Sequence, residues 1–208
     1  MISLKLPSIE FLKLFSCILV FVAIPSRGIS QKLPPDVANI TLRTWAGYSN
    51  QSVILLGKTP NTTTQFYSIG ISKYIHSYSP NTYLFYTVDI TPYIKYHYPQ
   101  RDRNELKTTV NGFGISPFGL QLEHLLINRF SFLSGFSGGF AFVDQNFPTQ
   151  KGRKLNFMFD LSTSILTKVA NHLSVALGYK FHHISNANTG SENPGIDSNF
   201  LYFSIHIN

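Results

Sequence analysis

Apolar and polar positions alternate along most of this chain after residue 39, with the period of two that a sheet with two unlike faces imposes. The clearest case lies in 129–143. There Phe130, Phe132, Phe136, Phe140 and Phe142 share one parity, and Ser131, Gly135, Ser137, Gly139 and Ala141 share the other. In 153–165, Leu155, Phe157, Phe159 and Leu161 alternate with Lys154, Asn156, Asp160 and Ser162. Tyr67, Ile69 and Ile71 oppose Ser68, Gly70 and Ser72 in the same way. Eight strands are predicted, at 40–49, 64–74, 82–93, 112–124, 129–143, 153–165, 171–185 and 197–207, separated by Asn, Pro, Gly and Ser. The first is weakly patterned, and Pro117 predicts a bulge or an edge in the fourth. The stretch Gln51–Thr63 has room for a further strand, and 94–111, with Arg101-Asp102-Arg103, reads as a loop.

The contents of the two faces decide the environment. A soluble barrel turns its large apolar side chains inward, whereas a narrow barrel in lipid turns them outward and keeps small and polar ones inside. Lys154 and Asp160 would be costly in an apolar core but are acceptable in a polar lumen. The expected fold is all-β: an eight-stranded antiparallel transmembrane β-barrel of the outer-membrane type, bulky outside and small inside.

Composition agrees. Of the 208 residues only 13% are charged and 14% are aromatic, and the mean hydropathy is +0.03. After the N-terminus no apolar run approaches the roughly 20 residues that a membrane helix needs. The net charge of +7 comes from scattered residues such as Lys151, Arg153 and Lys154. A nucleic-acid partner would call for a concentrated patch, so none is expected, and proximity to anionic lipid head groups suits this charge better.

Lys5 and Lys13 precede the apolar run Leu14 to Ile24, which Pro25 and Ser26 end. Residues 1–30 therefore read as a secretory signal peptide with cleavage near 26–30, followed by a single barrel domain over 31–208. Cys17 is the only cysteine and lies in that leader, so the mature chain would hold neither a disulfide nor a cysteine-built metal site.

The seventh strand carries Leu173, Val175, Leu177, Tyr179 and Phe181 on its apolar face, and the same parity continues to His183 and Ser185. His182 falls on the lumenal side, where His124 and His206 also read as lumen or rim residues. The eighth strand turns Leu201, Phe203, Ile205 and Ile207 outward, and its parity brings Asn199 and Asp197 outward as well. His183, Ser185 and Asp197 thus share the outer face of two neighbouring strands. Polar groups on a lipid face are tolerated near the rim rather than at mid-bilayer. With a periplasmic N-terminus and an even strand count, that rim is the extracellular one.

The chemistry suits an ester hydrolase. A serine hydroxyl needs a neighbouring base to become a nucleophile. His183 and Ser185, two residues apart on one strand face, have Cα atoms about 7 Å apart, close enough for their side chains to meet. A carboxylate on the next strand can hold the imidazole in its useful tautomer, and the amides of Asn186 and Asn193 can donate to an oxyanion.

At these residues the chain resembles the lipid A 3-O-deacylase family of the PagL type. That family has a His-x-Ser-Asn-Ala motif near the C-terminus and an acid twelve positions after the serine. Here the matching residues are His183-Ile184-Ser185-Asn186-Ala187, then Asn193-Pro194-Gly195-Ile196-Asp197. The resemblance implies Ser185 as nucleophile, His183 as base, Asp197 as orienting acid, and Asn193 with Asn186 in oxyanion stabilisation. It implies an integral outer-membrane enzyme that removes the 3-O-linked acyl chain of lipid A, in lipopolysaccharide, without metal or cofactor. The family commonly has Glu at the acid position, so Asp197 is one methylene shorter.

Two other readings compete. Phospholipases of the outer-membrane phospholipase A type also carry His-x-Ser-Asn, but place an amide twelve residues on, have more strands and use calcium. A non-enzymatic small outer-membrane barrel would need none of the three residues. The sequence leaves the oligomeric state open, a homodimer included.

Overall fold

The computed structural model describes residues 38–100, 104, 106–127 and 129–208. The expected signal peptide, its cleavage near 26–30 and Cys17 lie outside the described residues. The strands are β1 (Ile40–Ser49), β2 (Ser52–Val53), β3 (Thr63–Ser79), β4 (Thr82–Gln100), β5 (Leu106–Ile127), β6 (Phe130–Phe147), β7 (Arg153–Ala170), β8 (Leu173–Ser185) and β9 (Ile196–Ile207). All but β2 follow one another around an antiparallel sheet, and β1 pairs with β9, so the sheet closes on itself as a ring of eight. Closure leaves no unpaired strand edge, which is what a sheet in hydrocarbon requires. The two-residue β2 extends the wall by pairing with the start of β9.

The two ends differ. At the end that holds the start of β1 and the end of β9, the strands are joined by the short connections 80–81, 128–129 and 171–172. At the opposite end the connections 50–62, 101–105, 148–152 and 186–195 are longer. Short turns on the periplasmic side and longer loops outside are the habit of outer-membrane barrels.

The alternation produces the expected wall. Phe130, Phe132, Leu155, Leu161, Leu177, Tyr179, Leu201 and Phe203 are exposed on its outside. Inside, Ser68, Ser72, Ser131, Ser137, Asp160, Ser174 and Ser204 are buried. Lys154, expected in the lumen, instead stands exposed at the start of β7.

Two features differ from the sequence-based expectation. Residues 94–100 and 106–111 are not loop. They prolong β4 and β5 as a paired hairpin, with Tyr96 opposite Val110 and Gln100 opposite Leu106. A register shift between Thr91 and Ile94 leaves Pro92 and Tyr93 exposed in succession. Inward residues are odd-numbered up to Thr91 and even-numbered from Ile94, so a bulge had reversed the parity that the alternation is read from. The bulge expected at Pro117 is present, as a register shift between Ile115 and Phe118.

The lumen is also not small throughout. Toward the long-loop end it is closed by Trp45, Phe66, Tyr96, Tyr98, Phe147 and Phe200, packed with Ile94, Val110, Ile184 and Ile196. Phe66 lies edge-on to Tyr96 with ring centroids 5.8 Å apart, and Tyr96 lies 4.8 Å from Phe147. Apolar bodies fill this half, and the polar lumen proper lies below them.

The charged groups of that polar part are paired. Arg43 donates twice to Asp89, at 3.0 and 2.9 Å, and once to Gln121 at 3.1 Å. Asp160 accepts from Lys180 at 3.3 Å, from Ser137 at 3.2 Å and from His182 Nδ1 at 2.7 Å. His182 Nε2 is 2.8 Å from the Tyr96 hydroxyl, and Lys180 Nζ lies 3.9 Å from the centre of the Trp45 ring. His182 faces inward, as the alternation predicts, and joins the polar pairs to the aromatic plug. Replacing it with alanine leaves Tyr96 and Asp160 each short of a buried partner, which costs about 1–3 kcal/mol. His182→Ala is expected to lower the urea midpoint of the refolded barrel without disturbing the outer face, since its ring points into the lumen, away from His183.

Candidate active site

The long-loop end brings β8 and β9 together at the rim. His183 and Asp197 are direct partners in the β8–β9 ladder, and cross-strand partners on one face have Cβ atoms about 5 Å apart. The side chains close that gap: His183 Nδ1 lies 2.5 Å from Asp197 Oδ1. A carboxylate only accepts, so Nδ1 carries a proton, and in the neutral imidazole it is Nε2 that keeps the lone pair. The shorter acid therefore reaches the imidazole, because the register sets the two residues opposite one another.

Asp197 is completely buried, although its parity points outward. A strap formed by residues 54–57 covers it. The backbone N–H groups of Leu55, Leu56 and Gly57 donate to Asp197 Oδ2 at 3.0, 2.6 and 2.7 Å. The strap is pinned on either side: Val53 pairs with Asp197, Lys58 N–H donates to Pro194 O at 2.6 Å, and Thr59 N–H donates to Gly195 O at 3.3 Å. A Cβ at Gly57 would lie 2.9 Å from the backbone of Ile196 and Asp197, so only glycine lets the strap come this close. With three amide donors on one oxygen and an imidazole N–H on the other, the carboxyl group is held as the charged acceptor.

His183 is confined as well. The Phe159 ring lies 5.6 Å from it on β7. On the loop side Gly195 adopts φ 62°, and a Cβ there would come within 3.1 Å of the imidazole Cε1. With His183 as the expected base, Gly195→Ala is expected to lower kcat about tenfold by displacing the imidazole, since a small shift of such a group is enough for that loss. Steady-state kinetics on a barrel of unchanged gel mobility would measure it.

Ser185, the last residue of β8, is half-buried on the same outward face as His183 and opposite Phe157. Among the described residues its hydroxyl makes no hydrogen bond to His183; such contacts often tighten only when substrate binds. The chain turns sharply after it. Ala187 and Asn188 both lie in the left-handed region, at φ 50° and 61°, a strain that sites of function tend to hold.

The two asparagines take different positions. Asn186 is completely buried and braces the 186–195 loop. Its Nδ2 donates to Glu192 O at 2.7 Å, and its carbonyl accepts from Thr189 N–H at 3.0 Å and Thr189 Oγ1 at 2.7 Å. Asn193 Oδ1 accepts from Asn186 N–H at 2.9 Å, and its Nδ2 reaches Asn188 Oδ1 at 3.2 Å on the exposed side of the loop. The neighbouring connection and β7 also hold the loop: Lys151 pairs with Glu192 at 3.0 Å, and Arg153 Nε donates to Thr189 O at 3.0 Å. No group of three His, Cys, Asp or Glu side chains among the described residues is placed to hold a metal ion.

Sequence reasoning had located His183, Ser185, Asp197, Asn186 and Asn193 but not the strap. Its contribution is three backbone amides, which no residue type advertises. The one trace was Gly57 within a stretch left open for another strand.

A closed eight-stranded barrel with an apolar outer wall, and an imidazole–carboxylate pair beside a serine at its long-loop rim, defines a class: the outer-membrane barrels that carry a hydrolase-like site. The comparisons with known proteins narrow it. A sequence model described as "Lipid A 3-O-deacylase (PagL)" matches residues 55–206, and the chain belongs to that family of integral outer-membrane proteins. The solved structure of the outer membrane enzyme PagL superposes with a TM-score of 0.55 at 15% identity, covering 78% of this chain and 97% of that one. Neisserial surface protein A superposes with a TM-score of 0.52 at 14% identity, covering 82% and 97%. No curated protein sequence matches the chain.

Proposed function

We propose that the chain is a lipid A 3-O-deacylase that works as a serine hydrolase, with Ser185 as nucleophile, His183 as base and Asp197 as orienting acid. The observation that carries the reading is the 2.5 Å hydrogen bond between His183 Nδ1 and Asp197 on the face that also holds Ser185. Membership of the family supplies the substrate class.

In this reading His183 Nε2 takes the proton of Ser185 as Oγ attacks the ester carbonyl at the 3-position. The tetrahedral oxyanion is met by the Asn193 amide, in a loop held in shape by Asn186. Collapse breaks the bond to the sugar oxygen, which takes the proton back from His183. Water, activated by the same imidazole, then cleaves the acyl-serine and releases a 3-hydroxy fatty acid. The site faces the lipid itself: its neighbours on the outward face are the half-buried rings of Phe157, Phe159 and Phe181, and further along the same strands Tyr179, Leu177 and Leu201 are exposed apolar side chains. An ester at the base of the outer-leaflet head group therefore meets Ser185 without leaving the membrane. No cofactor takes part.

The decisive test is mass spectrometry of lipid A from cells that express the chain, with and without Ser185→Ala. Loss of one 3-hydroxyacyl mass from lipid A, abolished by the substitution, is the expected result. Lipid A of unchanged mass together with fresh lysophospholipid would favour the phospholipase reading, and no change in either lipid would favour a barrel without enzymatic activity.

A further inference from the structure

The strap over Asp197 has a second side. Its amides point down at the carboxylate, while Ile54, Leu55 and Leu56 are 68%, 73% and 53% exposed. Three consecutive aliphatic side chains cannot all be covered by one sheet face, and nothing else among the described residues covers them. An exposed apolar run of this kind costs free energy in water. It lies beside the start of β9, to which β2 is paired, and Leu201 stands bare on the outward face of that strand. The run thus continues the apolar wall of an outer-membrane barrel to the level of the catalytic acid.

We propose that the strap is a lipid-seated positioning device: Ile54, Leu55 and Leu56 sit among the acyl chains of the outer leaflet, and this contact holds the amides of Leu55, Leu56 and Gly57 on Asp197. The acyl chains are the occupant because the exposed side chains are purely aliphatic and adjoin a wall that already faces hydrocarbon. The seating stands independently, whereas its catalytic consequence rests on the proposed role of Asp197.

The link is mechanical. Among the described residues Oδ2 of Asp197 has no side-chain partner, only the three strap amides. Pairing of Lys58 and Thr59 with Pro194 and Gly195 ties the far end of the strap to the loop that carries Asn193. A strap lifted from the wall would release the carboxylate to turn, expose it to water, and loosen the imidazole it orients. Membrane contact and competence of the site are therefore coupled through 54–57. A methylene-shorter acid leans on this device more than a longer one would, since it has less freedom to find His183 from another rotamer.

Two measurements test the proposal. A fluorophore attached to the full chain through Leu55→Cys, made together with Cys17→Ser, is placed in phosphatidylcholine vesicles containing lipid A. Emission is expected to be quenched by lipids with a nitroxide on the upper acyl chain and to be insensitive to aqueous iodide. The reverse pattern overturns the seating, whether or not the chain is an enzyme. The double variant Leu55→Ser/Leu56→Ser is expected to lose about tenfold in kcat with KM changed less than about twofold, a misplaced catalytic group costing rate rather than binding. Leu55→Met/Leu56→Met should recover most of that loss. A change confined to KM would make the strap a substrate ledge and overturn its positioning role, as would an unchanged kcat. If the unaltered chain releases no acyl group, the enzymatic reading fails, while the quenching result still decides the seating.

Discussion

Ser185→Ala is expected to reduce release of 3-hydroxy fatty acid from lipid A by about 10⁴-fold or more, which is the scale seen when a hydrolase loses its nucleophile. His183→Ala should fall to a similar residual rate, because nucleophile and base act as one unit and their losses do not add. The double variant should be no worse than either single one. Neither change should unfold the barrel. The Ser185 hydroxyl holds no hydrogen bond to His183 to lose, and His183 is linked by its side chain to Asp197, which keeps its three strap amides. Both proteins should therefore still show heat-dependent gel mobility, and single-turnover release of labelled acyl chain would measure the rate. A Ser185→Ala protein that deacylates at more than a hundredth of the normal rate would sink the nucleophile assignment.

Much of the architecture was legible because a membrane barrel writes its two faces into alternating residues. The five phenylalanines of β6 and their small partners place outside and inside without further information. The same arithmetic carried to the end of β8 separated His182 from His183, and the structure puts the first in the lumen and the second on the outer face. Alternation fails where the backbone leaves the ladder. The bulge at Thr91–Ile94 reversed the parity, so Ile94, Tyr96 and Tyr98 looked like loop although they are the most deeply buried residues of β4. The aromatic plug was hidden as well: its members come from five strands, and Tyr96, Tyr98 and Phe147 lie outside the strands that the alternation predicts. The strap was invisible for a different reason, since its function lies in main-chain donors whose positions follow only from the pairing of β2 with β9.

That strap makes the chemistry of Asp197 unusually strict, and Asp197→Asn tests it. The three N–H groups of Leu55, Leu56 and Gly57 require an oxygen, so an asparagine must turn its carbonyl toward them and its NH₂ toward His183. An NH₂ donor facing Nδ1 makes that nitrogen the acceptor and moves the ring proton to Nε2, where it occupies the lone pair that takes the serine proton in the proposed mechanism. Loss of the right tautomer by an isosteric amide has cost about 10⁴-fold in kcat in a serine protease, and a similar fall is expected here. Asp197→Ala removes the orienting acid but imposes no tautomer, so it should retain more activity than the asparagine variant. Asp197→Glu restores the charge but carries an added methylene into a space closed by Gly57, and should fall between the two. The ordering of kcat, with alanine above glutamate and glutamate above asparagine, can be read from deacylation of lipid A micelles at saturating substrate. If the asparagine variant proved the most active of the three, the carboxylate would be a brace for the strap rather than the partner that sets the imidazole proton.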